Sequence, residues 1–225
     1  MYKYLLFDLD NTLLDFDAAE LRSLQKTFSK FNVPITLENI SNFKSINKKY
    51  WEMFERKEIT KSELIIKRFD DFFKTIGGFS NLDPREVNCF YLCSLTDEAE
   101  EMPYANYVLS NLEDKYEIVI VTNGVKDTQI KRIQKSSFFN KIPKIYISET
   151  IGVQKPEKGF FDYIFNDLNI QDSNEVLLIG DSLSADIIGG LNYGIDTVWY
   201  NYNKKESNIL PKYVISDLRD LLKIL

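Results

Sequence analysis

The 225-residue chain contains no histidine. That absence removes Ser-His and Cys-His nucleophilic catalysis and histidine-ligated zinc together, so acid–base chemistry falls to carboxylates, lysine, tyrosine or water. Positive charge is in deficit: 28 Lys and Arg stand against 34 Asp and Glu, a net charge of −6, with no basic patch to offset it. A phosphate-backbone polymer is disfavoured as a partner, and no nucleic acid polymer is expected. No run of about 18 apolar residues is present, so no membrane association is expected. The N-terminus passes within four residues into a strand-like run rather than a cleavable signal, which predicts a cytoplasmic protein. Only two cysteines occur, Cys89 and Cys93, four apart in a helical stretch. They are expected to share a face and to act as small buried hydrophobes rather than as a metal or redox pair.

What is present is an alternation of two periods. In the second half, strand-like runs at Glu117 to Thr122, Lys144 to Ser148, Glu175 to Ile179, Thr197 to Tyr200 and Tyr213 to Ile215 alternate with helical patterns near 103–113, 126–137, 157–168, 184–193 and 217–224. This predicts an α/β fold, a Rossmann-like parallel sheet with helices on both faces. Residues 16–98 differ, with long amphipathic patterns and aromatics at helical spacing, such as Leu21, Leu24 and Phe28 or Leu64, Phe69, Phe72 and Phe73. They read as a helical insertion directly after the first strand, so that 1–15 and 99–225 form the core and 16–98 a cap expected over the carboxyl edge of the sheet. Pro103 is placed to open the helix that returns to the core.

Four segments could carry chemistry. Tyr4-Leu5-Leu6-Phe7-Asp8-Leu9-Asp10 ends a short apolar strand in two carboxylates, and residues two apart on an extended backbone point the same way. Ile118 to Thr122 runs into Asn123 and Gly124 before a helical pattern, a strand-to-helix loop with backbone N–H groups and side-chain donors suited to an anionic oxygen. Lys155-Pro156 precedes another helix, with Pro156 expected at its first position and Lys155 suited to act as a fixed cation. Val176 to Gly180 ends in Asp181, with Asp186 near the start of the next helix, an oxygen-rich pair suited to Mg²⁺. Each segment alone has a plainer reading: helix caps for Asp8, Asp10, Thr122, Asn123 and Asp181, a surface charge for Lys155. All four fall at strand carboxyl ends or helix starts, the ligand-binding edge of an open α/β sheet.

Phe7-Asp8-Leu9-Asp10-Asn11-Thr12-Leu13, Thr122-Asn123-Gly124, Lys155-Pro156 and Gly180-Asp181 with Asp186 resemble the four motifs of the haloacid dehalogenase superfamily of phosphohydrolases, in order and across the whole chain. The insertion resembles that family's helical cap between the first and second motifs. Asn47-Lys48-Lys49-Tyr50-Trp51, Ile147 to Pro156 and Ala185 to Leu191 are similar to bacterial house-cleaning pyrimidine 5′-nucleotidases. The resemblance implies Asp8 as nucleophile, forming an aspartyl-phosphate, and Asp10 as the acid and then the base. It implies Thr122, Asn123, Gly124 and Lys155 as phosphate ligands. Mg²⁺ would be held by the Asp8 and Asp181 carboxylates and the Asp10 carbonyl, with Asp186 behind them fixing a metal-bound water or Lys155. Asp10 favours a phosphatase over a dehalogenase, since halide needs no proton to leave. The partner implied is a small phosphorylated metabolite, a pyrimidine nucleoside monophosphate first. A sugar-phosphate or phosphoglycolate-type phosphatase, a β-phosphoglucomutase-like phosphotransferase and a silent phosphometabolite-binding protein stay open. In the cap, Asn47, Tyr50, Trp51 and Phe54 either select the substrate or pack the cap's own core.

Overall fold

The computed structural model describes residues 1–225, which divide into two compact units, Met1–Phe16 with Ala99–Leu225 and Asp17–Glu98. In chain order the elements are β1 (Tyr4–Phe7), α1 (Phe16–Lys30), α2 (Leu37–Glu55), α3 (Lys61–Ile76), α4 (Pro84–Leu95), α5 (Ala105–Leu112), β2 (Glu117–Thr122), α6 (Lys126–Lys135), β3 (Lys144–Ile147), α7 (Ser148–Ile151), α8 (Lys158–Asp167), β4 (Val176–Gly180), α9 (Ile188–Tyr193), β5 (Asp196–Tyr200), β6 (Tyr213–Ile215) and α10 (Leu221–Ile224).

In the α/β unit the six strands form one parallel sheet in the order β3-β2-β1-β4-β5-β6. Its alternating side chains are apolar on both sides. Leu5, Phe7, Ile118, Ile120, Leu177 and Ile179 pack on one face against Val108, Leu109 and Leu112 of α5 and Leu221 of α10. Leu6, Val119, Val121 and Leu178 pack on the other against Phe160, Phe161 and Ile164 of α8. Burial on both faces is what a parallel sheet requires of its strands. Strand order reverses at β1, which pairs with β2 on one side and β4 on the other. That reversal is the crevice where ligands bind in open α/β sheets.

The helical unit is built around aromatic rings from α1, α2, α3 and α4. Phe28 stacks on Phe72 at 5.1 Å between centroids, and Phe43 lies 4.6 Å from Phe69 and 5.7 Å from Tyr91. Leu24, Phe28, Leu64, Phe69, Phe72 and Phe73 are buried as their spacing predicts, whereas Leu21 faces solvent. Thr60 opens α3 with a capping box: its hydroxyl accepts from the Glu63 N–H, and the Glu63 carboxylate accepts from the Thr60 N–H.

Three local expectations are corrected. Cys89 and Cys93 do share a face of α4, but it is the exposed one, because Val87, Asn88, Tyr91, Ser94 and Leu95 occupy the stripe turned to the core. Pro103 lies outside α5, which starts after Tyr104 in a left-handed conformation. Pro156 precedes the N-cap of α8, Glu157, and follows a cis peptide bond from Lys155.

Candidate active site

Asp8 stands one residue beyond β1, and its N–H still donates to the Ile179 carbonyl of β4 at 2.8 Å. The chain then turns sharply. The Leu9 carbonyl accepts from the N–H groups of Leu13 and Leu14, both at 2.9 Å, and Asn11 sits at φ 58°. That left-handed backbone suits asparagine better than most residues with a side chain. The turn carries Asp10 beside its neighbour while Asp8 stays buried.

Lys155 is the hub. Its ammonium donates at 2.7 Å to Asp8 Oδ1, at 2.7 Å to Asp186 Oδ1 and at 2.8 Å to the Val121 carbonyl, at 1% exposure. All three ammonium hydrogens are thus directed, and its backbone is fixed as well. Asn123 Oδ1 accepts from the Lys155 N–H at 2.9 Å and Asn123 Nδ2 donates to the Lys155 carbonyl at 2.8 Å. The loops after β2 and before α8 are therefore tied together, 32 residues apart in the chain.

Asp186 lies in the turn of helix that follows Ser182 and is fully buried. Besides the bond to Lys155, its Oδ2 accepts from the Ser182 N–H at 3.1 Å. Gly180 makes room for it, since a Cβ there would stand 2.2 Å from Asp186 Oδ2. The Asp181 carbonyl accepts from the Trp199 indole at 3.1 Å.

Burial pushes the Asp8 carboxyl up to about 7; Lys155 opposes the shift, and the charges of Asp186 and Asp10 add to it. Asp181 is raised well above the usual carboxylate range by burial, with Asp8 and Asp186 repelling its charge. Burial alone would lower Lys155, but Asp186 and Asp8 together raise it, so it stays charged. Oxygens of Asp8, Asp181 and Asp186 lie within 4.8 Å of one another. Three carboxyl groups around one ammonium bring hard oxygen donors together, a set that, once ionised, suits a divalent cation such as Mg²⁺.

Of the residues anticipated from sequence, Asp8, Asp10, Thr122, Asn123, Gly124, Lys155, Asp181 and Asp186 gather at this one sheet edge. Several have other commitments. The Asp10 carboxylate turns to α6, where Gln129 Nε2 donates to Oδ2 at 2.6 Å and the Arg132 guanidinium bonds Oδ1. That leaves the Asp10 main-chain carbonyl as its offer to a metal. The Asn123 amide is engaged with the Lys155 backbone, and the Gly124 N–H donates to the Thr122 hydroxyl at 3.0 Å. Thr122 also accepts from Gln129 Nε2 at 2.9 Å, so its own proton is directed elsewhere.

The four residues singled out in the helical unit take part in its packing. Asn47 Nδ2 donates to Glu20 at 2.7 Å and its Oδ1 accepts from Arg68 at 3.0 Å. Tyr50 donates to Asp71, and Tyr50 and Phe54 are buried with Leu64. Trp51, half-buried, meets Phe54 edge-on at 5.8 Å.

Gln129 and Arg132 were not anticipated from sequence. The signal available is faint: two polar residues three apart on a helix whose neighbours are also polar, Lys126-Asp127-Thr128-Gln129-Ile130-Lys131-Arg132. What sets them apart is burial, both at 1% exposure.

A protein-family model for haloacid dehalogenase-like hydrolases matches residues 5–200. The HAD-hydrolase YfnB of Bacillus subtilis is 38% identical over 226 residues, covering 100% of this chain and 95% of its own. Its magnesium-bound crystal structure superposes with a TM-score of 0.93 over 100% of this chain and 98% of that one. The pyrimidine 5′-nucleotidase PynA of Streptococcus pneumoniae is 35% identical, covering 100% of this chain and 95% of its own, and the pyrimidine 5′-nucleotidase YjjG of Escherichia coli 29%, covering 100% and 98%. With both the sequence motifs and the sheet edge they build matched over nearly its whole length, the chain belongs to the haloacid dehalogenase-like hydrolases.

Proposed function

We propose that the protein is a Mg²⁺-dependent phosphomonoesterase that acts through an aspartyl-phosphate on Asp8 and hydrolyses pyrimidine nucleoside 5′-monophosphates in the cytoplasm. The observation that carries this reading is the buried Lys155 ammonium, 2.7 Å from both Asp8 and Asp186, with Asp10 two residues along the same turn. A cation bonded to the nucleophile suits chemistry in which two anions must meet, and phosphoryl transfer is such a chemistry. The names of the relatives from Streptococcus pneumoniae and Escherichia coli support the choice of substrate.

In this mechanism an Asp8 oxygen forms a bond to phosphorus as the ester P–O bond breaks. Asp10 gives its proton to the departing alcohol oxygen. Water then attacks phosphorus of the acyl phosphate, Asp10 takes a proton from that water, and inorganic phosphate leaves with the Asp8 carboxylate restored. Lys155 holds Asp8 and neutralises the transferring group; the Thr122 hydroxyl proton would serve its oxygens, while Asn123 braces the Lys155 backbone and the Gly124 N–H orients Thr122. Asp8, Asp181 and the Asp10 carbonyl would hold Mg²⁺, with Asp186 fixing Lys155. When bound, the ion supplies positive charge to the phosphate oxygens and the nucleophile. Substrate choice is assigned to the helical unit. Trp51 is its foremost candidate, because Asn47 is held by Glu20 and Arg68 while Tyr50 and Phe54 are buried.

The test is phosphate release with Mg²⁺ from UMP, dUMP, dTMP, AMP, phosphoglycolate and sugar phosphates, with EDTA as control. Preference for the pyrimidine nucleotides and loss of release in Asp8→Asn are expected. Preference for a sugar phosphate would keep the mechanism and discard the substrate. An isomerised sugar phosphate without free phosphate would mean a mutase. An Asp8→Asn variant with most of its activity would refute the covalent route.

A further inference from the structure

A buried polar unit on α6 grips Asp10 from 119 and 122 residues away in sequence. Gln129 Nε2 donates to Asp10 Oδ2 at 2.6 Å and to the Thr122 hydroxyl at 2.9 Å, while its Oε1 accepts from Arg132 at 3.1 Å. Each amide atom thus has a partner of the right sense, which fixes the flip of the side chain. Arg132 bonds Asp10 Oδ1, and its guanidinium lies 5.6 Å from the centre of the Phe16 ring. The site is shaped for this unit: a Cβ on Gly124 would stand 2.2 Å from Gln129 Nε2, so the glycine leaves the amide its path to Asp10. Burying an arginine and a glutamine at 1% exposure costs free energy that no contact with bulk water returns. What both bond is the Asp10 carboxylate, whereas Lys155 bonds those of Asp8 and Asp186.

We propose that Arg132 and Gln129 are positioning residues that set the direction of the Asp10 carboxylate for proton transfer to and from the reacting oxygens, and that Gln129 locks this direction to the phosphate-facing hydroxyl of Thr122. The proposal rests on the phosphomonoesterase reading of the site. It assigns α6 a part in the reaction separate from phosphate or metal binding. A carboxylate on a short side chain has one rotatable bond beyond its Cβ, and two donors on different oxygens remove that freedom. Orientation of a proton donor is a large part of what general acid catalysis contributes.

The experiment compares kcat/KM for UMP and for p-nitrophenyl phosphate, with Mg²⁺, in wild type, Arg132→Ala, Arg132→Lys and Gln129→Met. kcat/KM reports the first phosphoryl transfer, and p-nitrophenolate leaves without needing a proton whereas the nucleoside hydroxyl needs one. Arg132→Ala and Gln129→Met are expected to lower kcat/KM for UMP by about tenfold or more and for p-nitrophenyl phosphate by less than about threefold, a share of the 10²–10⁴ that acid–base catalysis supplies. Arg132→Lys, which keeps a cation near Oδ1, should recover part of the loss on UMP. In an Asp10→Asn background, adding Arg132→Ala should lower the UMP rate no further. Equal losses on both substrates, or additive losses with Asp10→Asn, would overturn the proposal and leave a structural role only. Should Arg132→Ala melt before assay, Gln129→Met, close in volume to the original, reads the same split. A wild type that hydrolyses neither substrate would fell the phosphomonoesterase reading and this inference with it, a pattern distinct from an active wild type with no leaving-group split.

Discussion

Replacing Lys155 by methionine removes the ammonium bonded to two buried carboxylates while keeping an unbranched side chain one atom shorter. Asp8 at 8% exposure and Asp186 at 0% gain little water in exchange. Breaking a buried ion pair by deleting one partner costs about 3–5 kcal/mol, because the remaining charge is left uncompensated. For a chain of this size each kcal/mol moves Tm by about 2–4 °C, so Lys155→Met should melt about 6–20 °C lower than wild type at pH 8 in EDTA. The penalty depends on pH in a direction that follows from Asp8. Its carboxyl titrates at about 7 in the folded protein, raised from 3.8 by burial. The folded state therefore binds more protons than the unfolded one between those values, and the contribution of Asp8 to stability is present below about 4 and lost as pH rises through 7. Without Lys155 the carboxylates resist ionisation further, so the variant should lose most at pH 8 and recover towards wild type at pH 5. Thermal melts of both proteins at pH 5, 6.5 and 8 measure this. A difference in Tm that is the same at all three pH values would refute the electrostatic account and mark Lys155 as a packing residue.

Three further outcomes follow from the geometry. Metal binding requires the carboxylates to be ionised, so the gain in Tm on adding Mg²⁺ should be larger at pH 8 than at pH 5.5, as scanning fluorimetry with and without EDTA would record; a gain independent of pH would exclude Asp8 as a ligand. Gly180→Ala sets a methyl 2.2 Å from Asp186 Oδ2 and should cost about 1–3 kcal/mol by chemical denaturation, whereas Gly159→Ala in α8 meets Val153 at an ordinary 3.5 Å and should be neutral or slightly stabilising. Trp51→Ala should lower kcat/KM for pyrimidine nucleotides more than for p-nitrophenyl phosphate; equal losses would remove Trp51 from substrate choice.

The strand ends were legible in the sequence because a parallel strand buried on both faces must be apolar throughout, and the residue that breaks the run is then conspicuous. Asp8 after Leu5-Leu6-Phe7 and Asp181 after Val176 to Gly180 stand out for that reason. The helices between 16 and 98 were legible for a similar reason, since aromatics at helical spacing with no strand signal have few other readings. Cys89 and Cys93 were misplaced because spacing tells which residues share a helix face, not which face turns inward; Asn88 and Ser94 took the buried side. Pro156 was misplaced by two positions because helix starts are set by N-cap geometry, here at Glu157, and not by proline alone.

Sequence by itself determined the chemistry available to this protein: no histidine, paired carboxylates two apart on an extended backbone, a lysine and a further aspartate pair, all at strand ends or helix starts. Tertiary structure alone decided the partners. Lys155 meets Asp8 across 147 residues, and Arg132 meets Asp10 across 122. It also decided that Asn123 braces the Lys155 backbone and that Asn47 answers Glu20 and Arg68. The physical reason is range. Periodicity and end signals are properties of neighbouring residues, whereas the direction of a buried hydrogen bond depends on which strands the sheet sets side by side and on the room a glycine leaves between them.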